Sequence, residues 1–194
     1  MHPVRLPHTI LVLAATLPAI RPAAAQSKQP VGLQIAALAT SIVAGDATIG
    51  GIGIEPQVRF NGKYYSGVGK LSFGLGAQYS RHTSSNDIGI TIAGVFLEPR
   101  LSLAQFSGEK FSPYVAGRVA LLRQSNDVAS SSSGTAFGGG GGFLYAVGER
   151  VNLDVGVSGL LQNFSASKTT AGRLFINGSM YTYAAKLGLT VGVP

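Results

Sequence analysis

The chain has 194 residues with a formal charge of +7; 45% are hydrophobic, only 12% are charged, and none is cysteine. That charged fraction is roughly half of the about 25% found in soluble domains, so a water-facing surface of ordinary polarity is excluded, as are disulfides and thiolate metal sites. The basic residues are scattered singly rather than clustered, which argues against a nucleic-acid surface.

Taken in chain order, the first element is a targeting segment. His2 and Arg5 precede an apolar stretch, Ile10 to Leu17, and the small-residue run Ala23-Ala24-Ala25 follows, as in a secretory signal with an A-x-A-like cleavage site. The stretch is far shorter than the ~20 residues of a spanning helix. Cleavage after Ala25 is expected to leave residues 26–194 as one domain and, by removing Arg5 and Arg21, to lower the formal charge from +7 to +5. The rest of the chain contains no apolar run approaching the ~18 residues of a transmembrane helix. With little charge and no spanning helix, the remaining route across a bilayer is a closed sheet that satisfies every backbone N–H and C=O internally.

Period-two alternation supplies such a sheet. Strands are predicted at 30–43, 50–60, 68–82, 88–101, 112–123, 137–147, 150–163 and 179–193. The pattern is clearest in the last, where Tyr181, Tyr183, Ala185, Leu187, Leu189, Val191 and Val193 alternate with Thr182, Ala184, Lys186, Gly188, Thr190 and Gly192. Gly138 to Gly142 belongs to the sixth strand, since Phe137, Phe143 and Tyr145 flank it and neither the Lys-Ser/Thr nor the helix of a phosphate-binding loop follows. The prediction is an all-β, eight-stranded, antiparallel up-and-down transmembrane barrel. With the N-terminus in the periplasm, connections 44–49, 83–87, 124–136 and 164–178 face outside, and Ser130 to Gly134 and Ser165 to Gly172 read as mobile loops.

Ser112-Pro113-Tyr114-Val115-Ala116-Gly117-Arg118, then the glycine run through Val147, then Val151-Asn152-Leu153-Asp154-Val155-Gly156-Val157 resemble, in this order, strands of the outer-membrane β-barrel family that includes OmpA-like, OmpX-like and opacity-type proteins. The resemblance covers most of residues 30–193. It implies an eight-stranded barrel in the bacterial outer membrane, inserted by the barrel-assembly machinery among lipopolysaccharide and other lipids, without catalytic residues. Members usually finish on an aromatic residue, whereas this chain reads Thr190-Val191-Gly192-Val193-Pro194. Either its assembly signal is unusual or it belongs to a divergent branch.

The phasing turns Glu55, Arg59, Lys70, Arg118, Asp154 and Lys186 into the lumen, where opposite charges are expected to pair and plug an interior just wide enough for side chains. Ile54-Glu55-Pro56 and Leu97-Glu98-Pro99 echo one another, and each proline is expected to mark a bulge or a strand end. The fourth strand conflicts with this phasing: placing Glu98 and Arg100 inward also places Ile90, Ile92 and Phe96 inward, a conflict that a bulge would relieve. Phe60, Tyr64, Tyr65, Phe106, Phe111 and Tyr114 at one end, and Tyr79, Phe164, Tyr181 and Tyr183 at the other, are read as two interfacial girdles.

The enzyme-like alternative is the cluster Arg81-His82-Thr83-Ser84-Ser85-Asn86-Asp87. Outer-membrane lipid A deacylases carry a similar His-x-Ser-Asn element, in which histidine activates serine and an acid orients the histidine. Here the roles would fall to His82, Ser84 and Asp87, although Ser85 interrupts the Ser-Asn pair. His82 is the only histidine beyond the signal segment, so a multi-histidine metal site is excluded and no cofactor is expected. A soluble lipocalin-like barrel is the third reading. It would require Thr182, Lys186 and Thr190 on the outside of the last strand. The loops of serine, glycine and threonine name no external partner.

Overall fold

The computed structural model describes residues 29–65, 68–83, 89–103, 106–108, 110–126, 131–165 and 178–193. The signal segment, Ser84, Asp87 and Ala166 to Gly172 lie outside them. Eight strands follow one another: β1 (Val31–Ala44), β2 (Ala47–Tyr65), β3 (Gly69–Thr83), β4 (Gly89–Leu103), β5 (Phe111–Asn126), β6 (Ser132–Ala146), β7 (Val151–Phe164) and β8 (Gly178–Val193). Each pairs antiparallel with its sequence neighbours, and β8 closes on β1. Closure leaves no strand edge, so each strand can form ladders on both sides.

The register fixes the stagger. Leu33 lies opposite Val58, which leads through Leu75, Leu97, Val119, Phe137, Leu161 and Tyr181 back to Val43, ten residues further along β1. A stagger of that size tilts the strands into the range of about 35–45° common to small barrels and leaves an interior for side chains only.

Several expectations need correction. The β1–β2 connection is a two-residue turn, Gly45-Asp46, in which Gly45 takes φ 59°, a conformation that glycine adopts without a Cβ clash. Ser132, Ser133 and Gly134 are strand, not loop: they pair with Gln124, Arg123 and Leu122, because a polar residue extends a ladder when its partner strand is long enough. Pro56 and Pro99 mark neither bulges nor ends. Pro56 pairs with Ile35 and Pro99 with Phe73 in continuous register. The pairing of β2 with β3, and of β4 with β5, is interrupted beside them and resumes unshifted, so each proline removes ladder contacts on one side only. The register shift that does occur lies between Asn61 and Tyr64.

Nor is there a bulge in β4, whose pairing with β3 runs unbroken from Gly69–Leu103 to Thr83–Gly89. Ile90, Ile92, Phe96, Glu98, Arg100 and Ser102 all point inward and are buried. The conflict disappears because the lumen itself changes character along its length. Ile42, Ile90, Ile92, Phe96, Ala120, Leu122, Ala136, Leu160, Phe164 and Met180 form one apolar cluster filling the end nearest the β1–β2 turn. The other half is ionic.

Candidate functional site

The ionic half is built from inward positions of six strands. Arg118 on β5 faces Glu55 on β2 through two parallel bonds, Nη1 to Oε2 at 2.6 Å and Nη2 to Oε1 at 2.9 Å. The same guanidinium reaches Glu98 on β4, through Nε at 3.1 Å and through a second, shorter bond from Nη2 to Oε2. Glu98 Oε1 in turn accepts from Arg59 Nη2 at 2.6 Å and Arg100 Nη2 at 3.1 Å. Arg100 continues to Asp154 Oδ2 at 3.0 Å, and Asp154 also accepts from Tyr114 Oη at 2.7 Å and Gln34 Nε2 at 2.7 Å. Lys186 Nζ lies between the three carboxylates, 3.7 Å from Asp154, 3.8 Å from Glu55 and 3.9 Å from Glu98.

Four cations and three carboxylates thus share one space, and Glu98 binds three of the arginines. The guanidinium planes do further work. Arg100 Cζ stacks 3.7 Å from the Tyr114 ring centroid and Arg118 Cζ 4.0 Å from that of Phe96. Arginine suits both roles, having a planar fork for carboxylates and a weakly hydrated face for rings. Phe96 therefore forms the seam between the ionic and apolar halves.

The glycines of β6 and β7 make room for this arrangement. A Cβ on Gly142 would lie 2.8 Å from Tyr114 Oη and one on Gly156 2.6 Å from it, both closer than real side chains approach. Their absence lets Tyr114 reach across the lumen to Asp154. The interior cavity beside Glu55, Tyr114, Arg118, Gly140 and Lys186 measures about 20 Å³, room for about one water.

Of the charges assigned inward from the sequence, the structure brings Glu55, Arg59, Arg118, Asp154 and Lys186 together. Lys70 is half-buried near the β2–β3 connection, at an inward position of β3. Glu98 and Arg100 complete the cluster and were missed as members, although the repeated Glu-Pro pair was the signal that could have found them. Of the aromatics, Phe60, Tyr79, Phe111, Tyr181 and Tyr183 are exposed on the outer wall, and Tyr64, Tyr65 and Phe106 are exposed at the β2–β3 and β4–β5 ends. Tyr114 and Phe164 are not girdle residues. Both sit at inward phase, Tyr114 at 4% exposure bound to Asp154 and Phe164 at 2% in the apolar cluster.

His82 points into the lumen, fully buried, with Nε2 2.9 Å from Thr40 Oγ1. It is held inside the barrel rather than presented on its outer wall. In β8, Thr182, Lys186 and Thr190 face inward, and Tyr181, Tyr183, Leu187, Leu189 and Val191 face outward at about half exposure or more. That is the reverse of a soluble ligand-carrying barrel.

An apolar outer wall around a filled, ion-paired interior defines a small closed barrel of the kind found in bacterial outer membranes. Neisserial surface protein A has this fold: 16% of residues are identical, the match covers 84% of this chain and 97% of that one, and the TM-score is 0.67. Weaker similarities, also covering most of both chains, are to Ail, the attachment invasion locus protein of Yersinia pestis, at 13% identity, 82% and 97% coverage and TM-score 0.47, and to the outer membrane enzyme PagL at 13%, 81% and 99%, and 0.46. No protein-family model matches the sequence, and no curated protein does.

Proposed function

We propose that the chain is a non-enzymatic outer-membrane barrel, exported by its N-terminal signal, whose plugged lumen holds a rigid scaffold for surface loops in envelope integrity or adhesion. The observation that carries this reading is the inversion of polarity. Leu33, Ile35, Ile52, Leu75, Leu121 and Leu187 are all about half exposed or more, while Glu55, Arg100 and Asp154 are at most 1% exposed. Water would penalise both halves of that arrangement, whereas hydrocarbon favours the first and leaves the second to be satisfied internally. A filled lumen favours a scaffold over a pore.

The test is cell fractionation with gel mobility. The protein is expected in the outer-membrane fraction, released by detergent and migrating faster unheated than boiled. Recovery as soluble periplasmic material without detergent would overturn the reading.

A further inference from the structure

The charges of the lumen do not balance. Among the described residues its ionic half holds Arg59, Arg100, Arg118 and Lys186 against Glu55, Glu98 and Asp154. All seven side chains are at most 10% exposed. One positive charge is left over in a buried space, where an uncompensated ion is far more costly than at a surface.

The arginines also differ in how fully they are bound. Arg118 commits Nε, Nη1 and Nη2 to Glu55 and Glu98. Arg59 bonds through Nη1 to Ser72 Oγ at 3.2 Å and through Nη2 to Glu98 and Gln57, and its Nε is buried without a partner. Arg100 bonds through Nη2 alone, to Glu98 and Asp154, and both its Nε and its Nη1 are buried without a partner. Since Arg59 and Arg100 both donate to Glu98 Oε1, their guanidinium groups lie side by side. Thr190 Oγ1, opposite Gln34 in the β8–β1 register, and Gln57 Nε2 are open as well; against these donors stands the open acceptor Gln34 Oε1. Buried N–H groups without partners are rare in folded proteins.

Arg59 and Arg100 stand at the end of the lattice nearest the β2–β3 and β4–β5 connections. Beyond them the inward residues Ser72, Ser102, Ser112 and Asn152 carry hydroxyl or amide groups, Lys70 adds a positive charge, and Glu149 is exposed on the β6–β7 connection. Water would satisfy the open N–H groups and leave the surplus charge; an anion answers both. The small cavity beside Lys186 suits water instead, because Glu55 and Glu98 line it.

We propose that Arg59 and Arg100 hold one halide-sized inorganic anion at this end of the lattice. The guanidinium group is weakly hydrated and forms charge-assisted bonds, which match it to a halide, and the enclosed position limits the ligand to a monatomic ion. The site depends on the lumen alone, so it stands or falls independently of where the barrel resides.

The test uses the full barrel in detergent, crystallised from sodium bromide. One anomalous peak is expected within hydrogen-bond reach of Arg59 Nε or Arg100 Nε and Nη1. In solution, replacing gluconate by bromide at constant ionic strength should raise the urea midpoint. Lys186→Met, which keeps both arginines and removes the surplus charge, should lose that rise, whereas Lys63→Gln, an equal change of charge at an exposed position, should keep it. Water alone at these N–H groups, bromide at exposed residues only, or an equal rise in Lys186→Met and the wild type would overturn the site. So would bromide uptake by Glu109→Gln and not by the wild type, since Glu109, outside the described residues, would then supply the balancing charge.

Discussion

On one side of Phe96 the barrel interior is an ionic lattice in which Arg118 is clamped between Glu55 and Glu98; on the other it is a largely apolar plug of Ile42, Ile92, Leu160, Phe164 and Met180, with His82, Gln124 and Gln162 the uncharged polar groups buried beside it. Both halves exclude solvent, yet they do so by different physics. In the ionic half the attraction between charges is largely offset by the cost of removing them from water, so the assembled lattice adds little net stability, but the loss of one partner strands the others. In the apolar half each side chain contributes roughly in proportion to the area it buries, and trimming one leaves a cavity of matching size. The ionic half should therefore respond to substitution all at once, and the plug by degrees.

The largest effect is expected at Glu98, the carboxylate shared by Arg59, Arg100 and Arg118. Glu98→Ala should cost about 3–5 kcal/mol, read as a lowered unfolding midpoint in urea with the protein in detergent micelles. Leu160→Ala in the plug should cost about 3 kcal/mol by the same measurement. A double-mutant cycle sharpens the contrast. Glu55→Gln and Arg118→Met, which share two hydrogen bonds, should couple by about 1–3 kcal/mol. Ile42→Val and Ala136→Gly, both in the plug but without a specific directed bond, should come closer to additivity. The smallest effect is Ile92→Val, expected at about 1 kcal/mol. If Glu98→Ala proved as mild as Ile92→Val, the distinction between the two halves would fail.

Strand number, topology and most strand centres were legible in the sequence because a closed sheet with an apolar outer face imposes the same alternation on every strand. The last strand shows this at its plainest, with every second residue from Tyr181 to Val193 turned outward or to its rim. What misled was the assumption that inward means polar. It holds for Glu98 and Arg100 and fails for Ile90 and Ile92 on the same face of the same strand. Phe164 was misplaced for the same reason: an aromatic near a strand end fits a girdle unless the lumen at that end is apolar.

Tyr114 shows a second limit. It was read as a girdle residue although the phase that turns Arg118 inward turns it inward too, and its role depended on Gly142 and Gly156, on the next two strands, leaving space for its hydroxyl to reach Asp154. Such a contact spans 40 residues of sequence, and no local pattern encodes it. The prolines misled in the opposite direction. A local rule placed them at breaks, whereas the closed ladder carries them through, because each strand is held on its other side as well.

The most direct test of the barrel's polarity is fluorescence quenching at single cysteines, which the absence of any native cysteine makes clean. Leu187→Cys on the outward face of β8, labelled with a small fluorophore and reconstituted in bilayers, is expected to be quenched by lipids carrying a quencher on the acyl chain and to resist aqueous iodide. Quenching by iodide with no response to the lipid quencher would contradict an apolar wall facing hydrocarbon around an ion-paired lumen.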